Sequence, residues 1–170
     1  MMATTTHVPV EVYLRSSYEP DAEFVDGKIE ERPTGEREHA LWRKAILKWF
    51  WQHEKEWGIE VLQELRVQVA STRYRVPDVT VLDRSQPSEQ IVTVPPVAVF
   101  EVLSPEDTLQ RLKQRLEDYR AMGIPEIWVI DPQDSTFYRY EDLQLGRKDS
   151  FSLAEKGIAF DMNQLKNLLD

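Results

Sequence analysis

The segment Val97-Ala98-Val99-Phe100-Glu101-Val102-Leu103 is apolar at every position but one. Successive side chains of a strand point to opposite faces, so such a run needs cover on both sides. That selects an inner strand of a sheet packed between helices. The rest of the chain supplies the partners. His39 and the apolar residues Trp42, Ile46, Trp49 and Phe50, recurring at spacings of three and four, predict a helix over 36–57, stopped by Gly58. A second helix is predicted from Ser104 as cap and Pro105 in the first turn to Met122, ended by Gly123. Asp26-Gly27 between apolar flanks predicts a hairpin over 23–30. Strand-like runs occupy 59–70, 73–82 and 126–130, with a proline-rich loop over 83–96. A hairpin pairing 137–140 with 151–153 and a last helix over 162–169 complete the reading. This order predicts one α/β domain over 1–170, with a central mixed sheet flanked by helices and residues 1–9 as a tail.

Size and composition agree. A chain of 170 residues, 41% apolar and with five tryptophans, can bury one substantial core. The absence of cysteine excludes disulfides, zinc–thiolate sites and cysteine nucleophiles. No window approaches the ~18 apolar residues of a membrane span and no signal segment opens the chain, so the expected location is the cytoplasm. With 21 basic against 30 acidic residues the net charge is −9, which argues against a broad electrostatic grip on nucleic acid.

The chemistry concentrates in two acids. Alternation in 75–82 puts Val76, Asp78, Thr80 and Leu82 on one face; alternation in 97–103 does the same for Val99, Glu101 and Leu103. A buried carboxylate costs several kcal/mol unless paired or coordinated, and two on neighbouring strands raise each other's pKa. A hard divalent cation relieves both costs, and oxygen ligands suit Mg²⁺ or Mn²⁺. Equally, Asp78 could cap a turn after Pro77 and Glu101 could pair with an arginine.

Several stretches carry a resemblance. Glu23-Phe24-Val25-Asp26-Gly27-Lys28-Ile29, His39 opening a helix, Val76-Pro77-Asp78-Val79, Phe100-Glu101-Val102-Leu103-Ser104-Pro105 and Tyr119 through Trp128 follow one another as in the Uma2 family (DUF820). That family is a branch of the PD-(D/E)XK nuclease-like superfamily, and the resemblance covers roughly residues 10–160. It implies a restriction-endonuclease-like core and metal-assisted hydrolysis of phosphodiester bonds in DNA. Asp78 and Glu101 would be metal ligands, with the backbone carbonyl of Val102 as a further ligand and Mg²⁺ or Mn²⁺ as the cofactor. The chain departs from the pattern at Leu103, where the superfamily motif has lysine, and at Arg115, where many members carry a lysine on the following helix.

Arg115 lies about 60° from Leu112 on the apolar stripe, and Lys113 about 100° to the other side, so Lys113 reads as a solvated flank. An arginine cannot act as a general base, but it can hold phosphate or water and stabilise transition-state charge. His39 is either a hydrogen-bonded core residue or a site residue that orients or assists; Glu23 could support the site. His7 and His53 carry no signal. Trp49, Phe50 and Trp51 cannot all face one core, which suggests a homodimer contact or a covering loop. The expectation is therefore a Mg²⁺-dependent DNA endonuclease, the alternative a nuclease-fold binding or assembly module that has lost hydrolysis. A nuclease should gather Arg66, Arg73, Arg75, Arg111 and Arg115 around the acid pair.

Overall fold

Asp26 and Gly27 both take positive φ, 49° and 88°, and close the hairpin that the Asp-Gly pair predicts. It opens a computed structural model that describes residues 6–33 and 35–169. Along the chain come α1 (Val10–Arg15), β1 (Glu23–Val25), β2 (Lys28–Glu30), α2 (Arg37–Gln52), α3 (Glu54–Trp57), β3 (Ile59–Gln63), β4 (Val67–Ala70), β5 (Arg73–Arg75) and β6 (Val79–Asp83). There follow β7 (Ala98–Val102), α4 (Leu109–Met122), β8 (Glu126–Asp131), β9 (Thr136–Glu141), β10 (Gln144–Arg147), β11 (Ser150–Leu153), β12 (Ile158–Asp161) and α5 (Asn163–Lys166).

The central sheet has six strands in the order β10-β9-β8-β7-β6-β3. It is mixed: β7 and β8 run parallel, and the other neighbours are antiparallel. A parallel pair needs a crossover, which α4 provides. Helix α4 covers one face, where Leu112, Leu116 and Tyr119 cluster with Val99, Ile127 and Val129. On the other face Trp42, Ile46 and Phe50 of α2 meet Val79, Val81, Phe100 and Trp128. The β11–β12 hairpin and α5 extend that second layer through Phe151, Phe160 and Leu165. All five residues of β7 are buried, as a doubly covered inner strand requires. A smaller sheet, β2-β1-β5-β4, joins the α4 side through Val67 and Val69.

The structure changes several predicted boundaries. The runs 59–70 and 73–82 each divide into two strands that belong to different sheets. Pro77, which has no N–H to donate, lies in the break between β5 and β6. Helix α4 starts at Leu109, capped by Thr108, whose hydroxyl accepts from Arg111 N–H at 3.2 Å. Ser104 instead accepts from Glu106 N–H in a turn, while its own N–H donates to Asp107 at 2.8 Å. The first long helix breaks at His53 into α2 and α3. Strand β9 pairs with β10, because Asp142 and Leu143 close a tight turn at φ 52° and 63°; β11 pairs with β12. The last helix is a single turn. Residues 1–5 of the expected tail lie outside the described residues, and Val8 N–H donates to Gly27 O at 2.8 Å.

Candidate functional site

Strands β6 and β7 pair with Val79 opposite Phe100. One further residue along that antiparallel register sets Asp78 opposite Glu101, at the end of the sheet and on the α4 face. Directly opposed residues have Cβ atoms roughly 4.5–5.5 Å apart, so the two carboxyl groups share one environment. Both are buried.

Each carboxylate oxygen holds a protein donor. Asp78 Oδ1 accepts from Arg32 Nη2 at 2.9 Å and lies 3.3 Å from His39 Nε2; its Oδ2 accepts from Val102 N–H at 2.8 Å. Glu101 Oε2 accepts from Arg115 Nη2 at 2.7 Å, and Oε1 from the Tyr119 hydroxyl. Arg115 and Tyr119 are four residues apart on α4, hence on one helix face. Arg115 Nε also lies 3.2 Å from Glu23 Oε1 on β1. Glu23 in turn accepts from Arg75 Nη1 at 2.8 Å and from Val76 N–H at 3.2 Å, and Arg75 continues to Asp118 at 2.8 Å. A charged chain thus runs from the acid pair into the smaller sheet.

These partners set the proton affinities. Burial alone would raise the Asp78 carboxyl, but the hydrogen bond and charge of His39 and the charges of Arg32 and Arg115 hold it well below the usual carboxylate range. Burial pushes the Glu101 carboxyl up to about 8, against the pull of Arg115 and with a further push from Asp78. The pair is therefore split, with one acid held ionised and the other holding its proton more tightly.

A cavity of about 130 Å³ opens beside Asp78, lined by Arg32, His39, Arg43, Val102 and Arg115 as well as Glu64 and Asp107. Within this wall Arg32 Nη1, His39 Nδ1 and Arg115 Nε are buried without a hydrogen-bond partner among the described residues. Gly35 backs the histidine closely: a Cβ there would stand 3.2 Å from His39 Nδ1.

The oxygen donors suit a hard divalent cation. Mg²⁺ keeps several waters and is commonly bound by one or two carboxylates, which Asp78 and Glu101 can supply. Among the described residues no group of three or more acidic, histidine or cysteine side chains converges to hold a metal. A cation at Asp78 Oδ1 would meet the Arg32 guanidinium that already occupies it.

Of the residues singled out by sequence, Asp78, Glu101, Val102, His39, Arg115 and Glu23 come together here. Lys113 is exposed and lines a different cavity with Asp26 and Asp118. Leu103, in the lysine position of the motif, packs in the apolar cluster on the α4 face. The five arginines expected around the acids disperse. Arg66 binds Asp21, Arg73 binds Asp26 and Asp118, Arg111 donates to Glu31 O, Arg75 reaches Glu23, and only Arg115 touches the pair. The basic wall is formed instead by Arg32 and Arg43 with Arg115. No periodicity marks Arg32, which sits in the loop after β2. Tyr119 was legible as a stripe residue, and its spacing of four from Arg115 is the signal for its second role.

No functionally curated protein matches the sequence. The crystal structure of a putative nuclease belonging to DUF820, from Anabaena variabilis ATCC 29413, is similar with a TM-score of 0.80 at 20% identity. That match covers 95% of this chain and 98% of the other, and at this identity the likeness is one of fold. The cryo-electron microscopy structure of a DrdV–DNA complex matches at a TM-score of 0.44 and 17% identity, over 80% of this chain and 12% of that one. The sequence pattern of the Uma2 family, described as "Putative restriction endonuclease", matches residues 10–154. With most of its length matched and the fold shared with a DUF820 protein, the chain belongs to the Uma2 family.

Proposed function

We propose that this protein is an endonuclease that hydrolyses phosphodiester bonds in DNA with Mg²⁺ or Mn²⁺ held by Asp78, Glu101 and the backbone carbonyl of Val102. The observation that carries the reading is the opposed, buried carboxylate pair beside a cavity whose arginine donors lack acceptors. A bound divalent cation would lower the pKa of a water and neutralise charge on the scissile phosphate. The chain's own groups do the rest. Tyr119 and Arg115 hold the two oxygens of Glu101, and His39 with Val102 N–H holds Asp78. Arg115, always charged, places a fixed guanidinium where phosphate charge develops and takes no proton itself.

One observation favours a second reading, a binding or assembly module without hydrolysis: Leu103 sets a half-buried apolar side chain where the motif has lysine. A plasmid-nicking assay separates the two. Wild-type protein is expected to nick supercoiled DNA with Mg²⁺ or Mn²⁺ and to stop when EDTA is added, with calorimetric heat of metal binding in parallel. No metal heat and no nicking would leave the binding module; nicking that survives EDTA would remove the metal from the mechanism.

The partner is then DNA, bound weakly and with strong salt dependence given the net charge of −9. Among the described residues no helix is long and apolar enough to cross a membrane, and the cysteine-free composition suits the cytoplasm. A homodimer is also proposed. Phe50 is in the core and Trp49 packs on Phe160, but Trp51 is 68% exposed. Trp51→Glu is expected to give a monomer by light scattering where wild type gives a dimer; a wild-type monomer would dispose of the idea.

A further inference from the structure

Arg32 is a half-buried arginine whose side chain is largely covered and has little to do. Its side chain is 9% exposed, and its one hydrogen bond to protein, among the described residues, runs from Nη2 to Asp78. A guanidinium carries five N–H donors, and buried donors are normally satisfied. Among the described residues Nη1 has no hydrogen-bond partner: Glu64 Oε1 is 3.7 Å away and is already taken by Arg43 at 2.7 Å. Arg66 shows what a structural arginine looks like in this fold. It spends its nitrogens on two oxygens of Asp21, on Tyr13 O and on Ser16 O. Arg32 is neither in the core of the sheet nor exposed to bulk water. It lines the cavity beside the acid pair, in a loop anchored by Arg111 through Glu31 O.

We infer that Arg32 is a phosphate ligand, held on Asp78 as an internal counter-ion until a divalent cation takes its place. The inference rests on the proposed metal site and assigns a residue that neither the sequence pattern nor the family resemblance singles out. Its logic is electrostatic. A cation on Asp78 and the Arg32 guanidinium repel each other across the same carboxylate, so metal entry weakens the Arg32–Asp78 pair and releases the arginine. The freed group stays in a cavity of about 130 Å³, several times the ~30 Å³ share of one water, and needs an anion there. A phosphate oxygen pair matches its planar fork. Metal and phosphate therefore help each other bind, reciprocally, through one side chain. The same device keeps the metal-free site neutral, so that DNA is not gripped before the cation is in place.

Binding of inorganic phosphate and of Mg²⁺ to wild type and three variants tests this, by calorimetry and without any turnover. In wild type, saturating Mg²⁺ is expected to tighten phosphate binding about tenfold, within the usual range of coupling between sites. Arg32→Gln is expected to bind Mg²⁺ more tightly than wild type, because the competitor is gone, and to lose that phosphate gain. Asp78→Asn in EDTA is expected to bind phosphate more tightly than wild type, because Arg32 is released. The double variant Arg32→Gln/Asp78→Asn should lose that increase.

A purely structural role predicts the opposite: Arg32→Gln would loosen Asp78 and weaken Mg²⁺. That result, or unchanged phosphate binding in Arg32→Gln, would overturn the inference. Arg32→Lys, which keeps the charge but not the fork, guards against misfolding and is expected to retain a reduced coupling. The outcomes stay separable from the nuclease reading. Arg32-dependent phosphate binding by Asp78→Asn in EDTA, with no nicking by wild type, would support the anion site and sink catalysis. Metal-dependent nicking with no Arg32 effect on phosphate would do the reverse.

Discussion

Asp78→Asn and Glu101→Gln are each expected to lower metal-dependent plasmid nicking by on the order of 10³-fold, the upper range for removing one preorganised charge-stabilising group. Both changes keep the shape of the side chain and remove its charge, so circular dichroism and elution volume should match wild type. Asp78→Asn leaves an amide facing Arg32 and His39, neither of which it can serve as an anion. Glu101→Gln keeps an oxygen for Arg115 but removes the negative ligand. Residual activity within tenfold of wild type in either variant would remove that acid from the metal site.

Glu101→Gln has a second signature, on stability. The carboxyl titrates at about 4.5 in the unfolded chain and about 8 in the fold, so the folded state binds the extra proton between those values. Stability that depends on this proton is complete below pH 4.5 and is lost as pH rises towards 8. Urea midpoints measured from pH 5 to 9 should therefore fall across that window in wild type and fall less in Glu101→Gln. Parallel profiles would show that Arg115 keeps the acid ionised throughout.

Arg75→Met is expected to cost about 3–5 kcal/mol of folding stability, the range for removing one partner of a buried ion pair. For a chain of this size that is a fall in Tm of roughly 6–20 °C, at about 2–4 °C per kcal/mol. Arg75 is 1% exposed and ties Glu23 at 2.8 Å, Glu30 at 3.1 Å and Asp118 at 2.8 Å. Methionine fills the space but leaves two buried carboxylates with one fewer cation. Glu23 is the more affected, because burial raises its pKa and Arg115 with Arg75 brings it below the usual carboxylate range. A lowered carboxylate lends stability above its unfolded pKa and loses it as pH falls through the folded value. The Arg75→Met deficit should thus be largest near neutrality and shrink below about pH 4, as scanning calorimetry would record. A Tm within 2 °C of wild type would mean that Arg73 and Arg115 neutralise these acids unaided.

Much of the architecture was legible because short-range pattern carries it. The apolar run of 97–103 demanded cover on two faces, and α2 and α4 provide it. The alternation that put Asp78 with Thr80 and Glu101 with Val99 places all four on the α4 side of the sheet. What alternation cannot state is which strand is the neighbour. It left 59–70 and 73–82 as single runs, although β3 and β6 belong to the central sheet and β4 and β5 to the smaller one. Local capping preference likewise pointed to Ser104, followed by Pro105, whereas Thr108 caps α4.

The sequence by itself determined the sheet's inner strand, the hairpin turn and the face that each of the two acids takes on its own strand, since each depends on a period of two or on a local φ. That the two faces are one follows from the pairing of β6 with β7. Only the tertiary structure decided which cations meet those acids. Arg32 reaches Asp78 across 46 residues of chain and Arg115 reaches Glu101 across 14. A long, flexible guanidinium stem leaves no periodic trace, and its partner is chosen by packing alone.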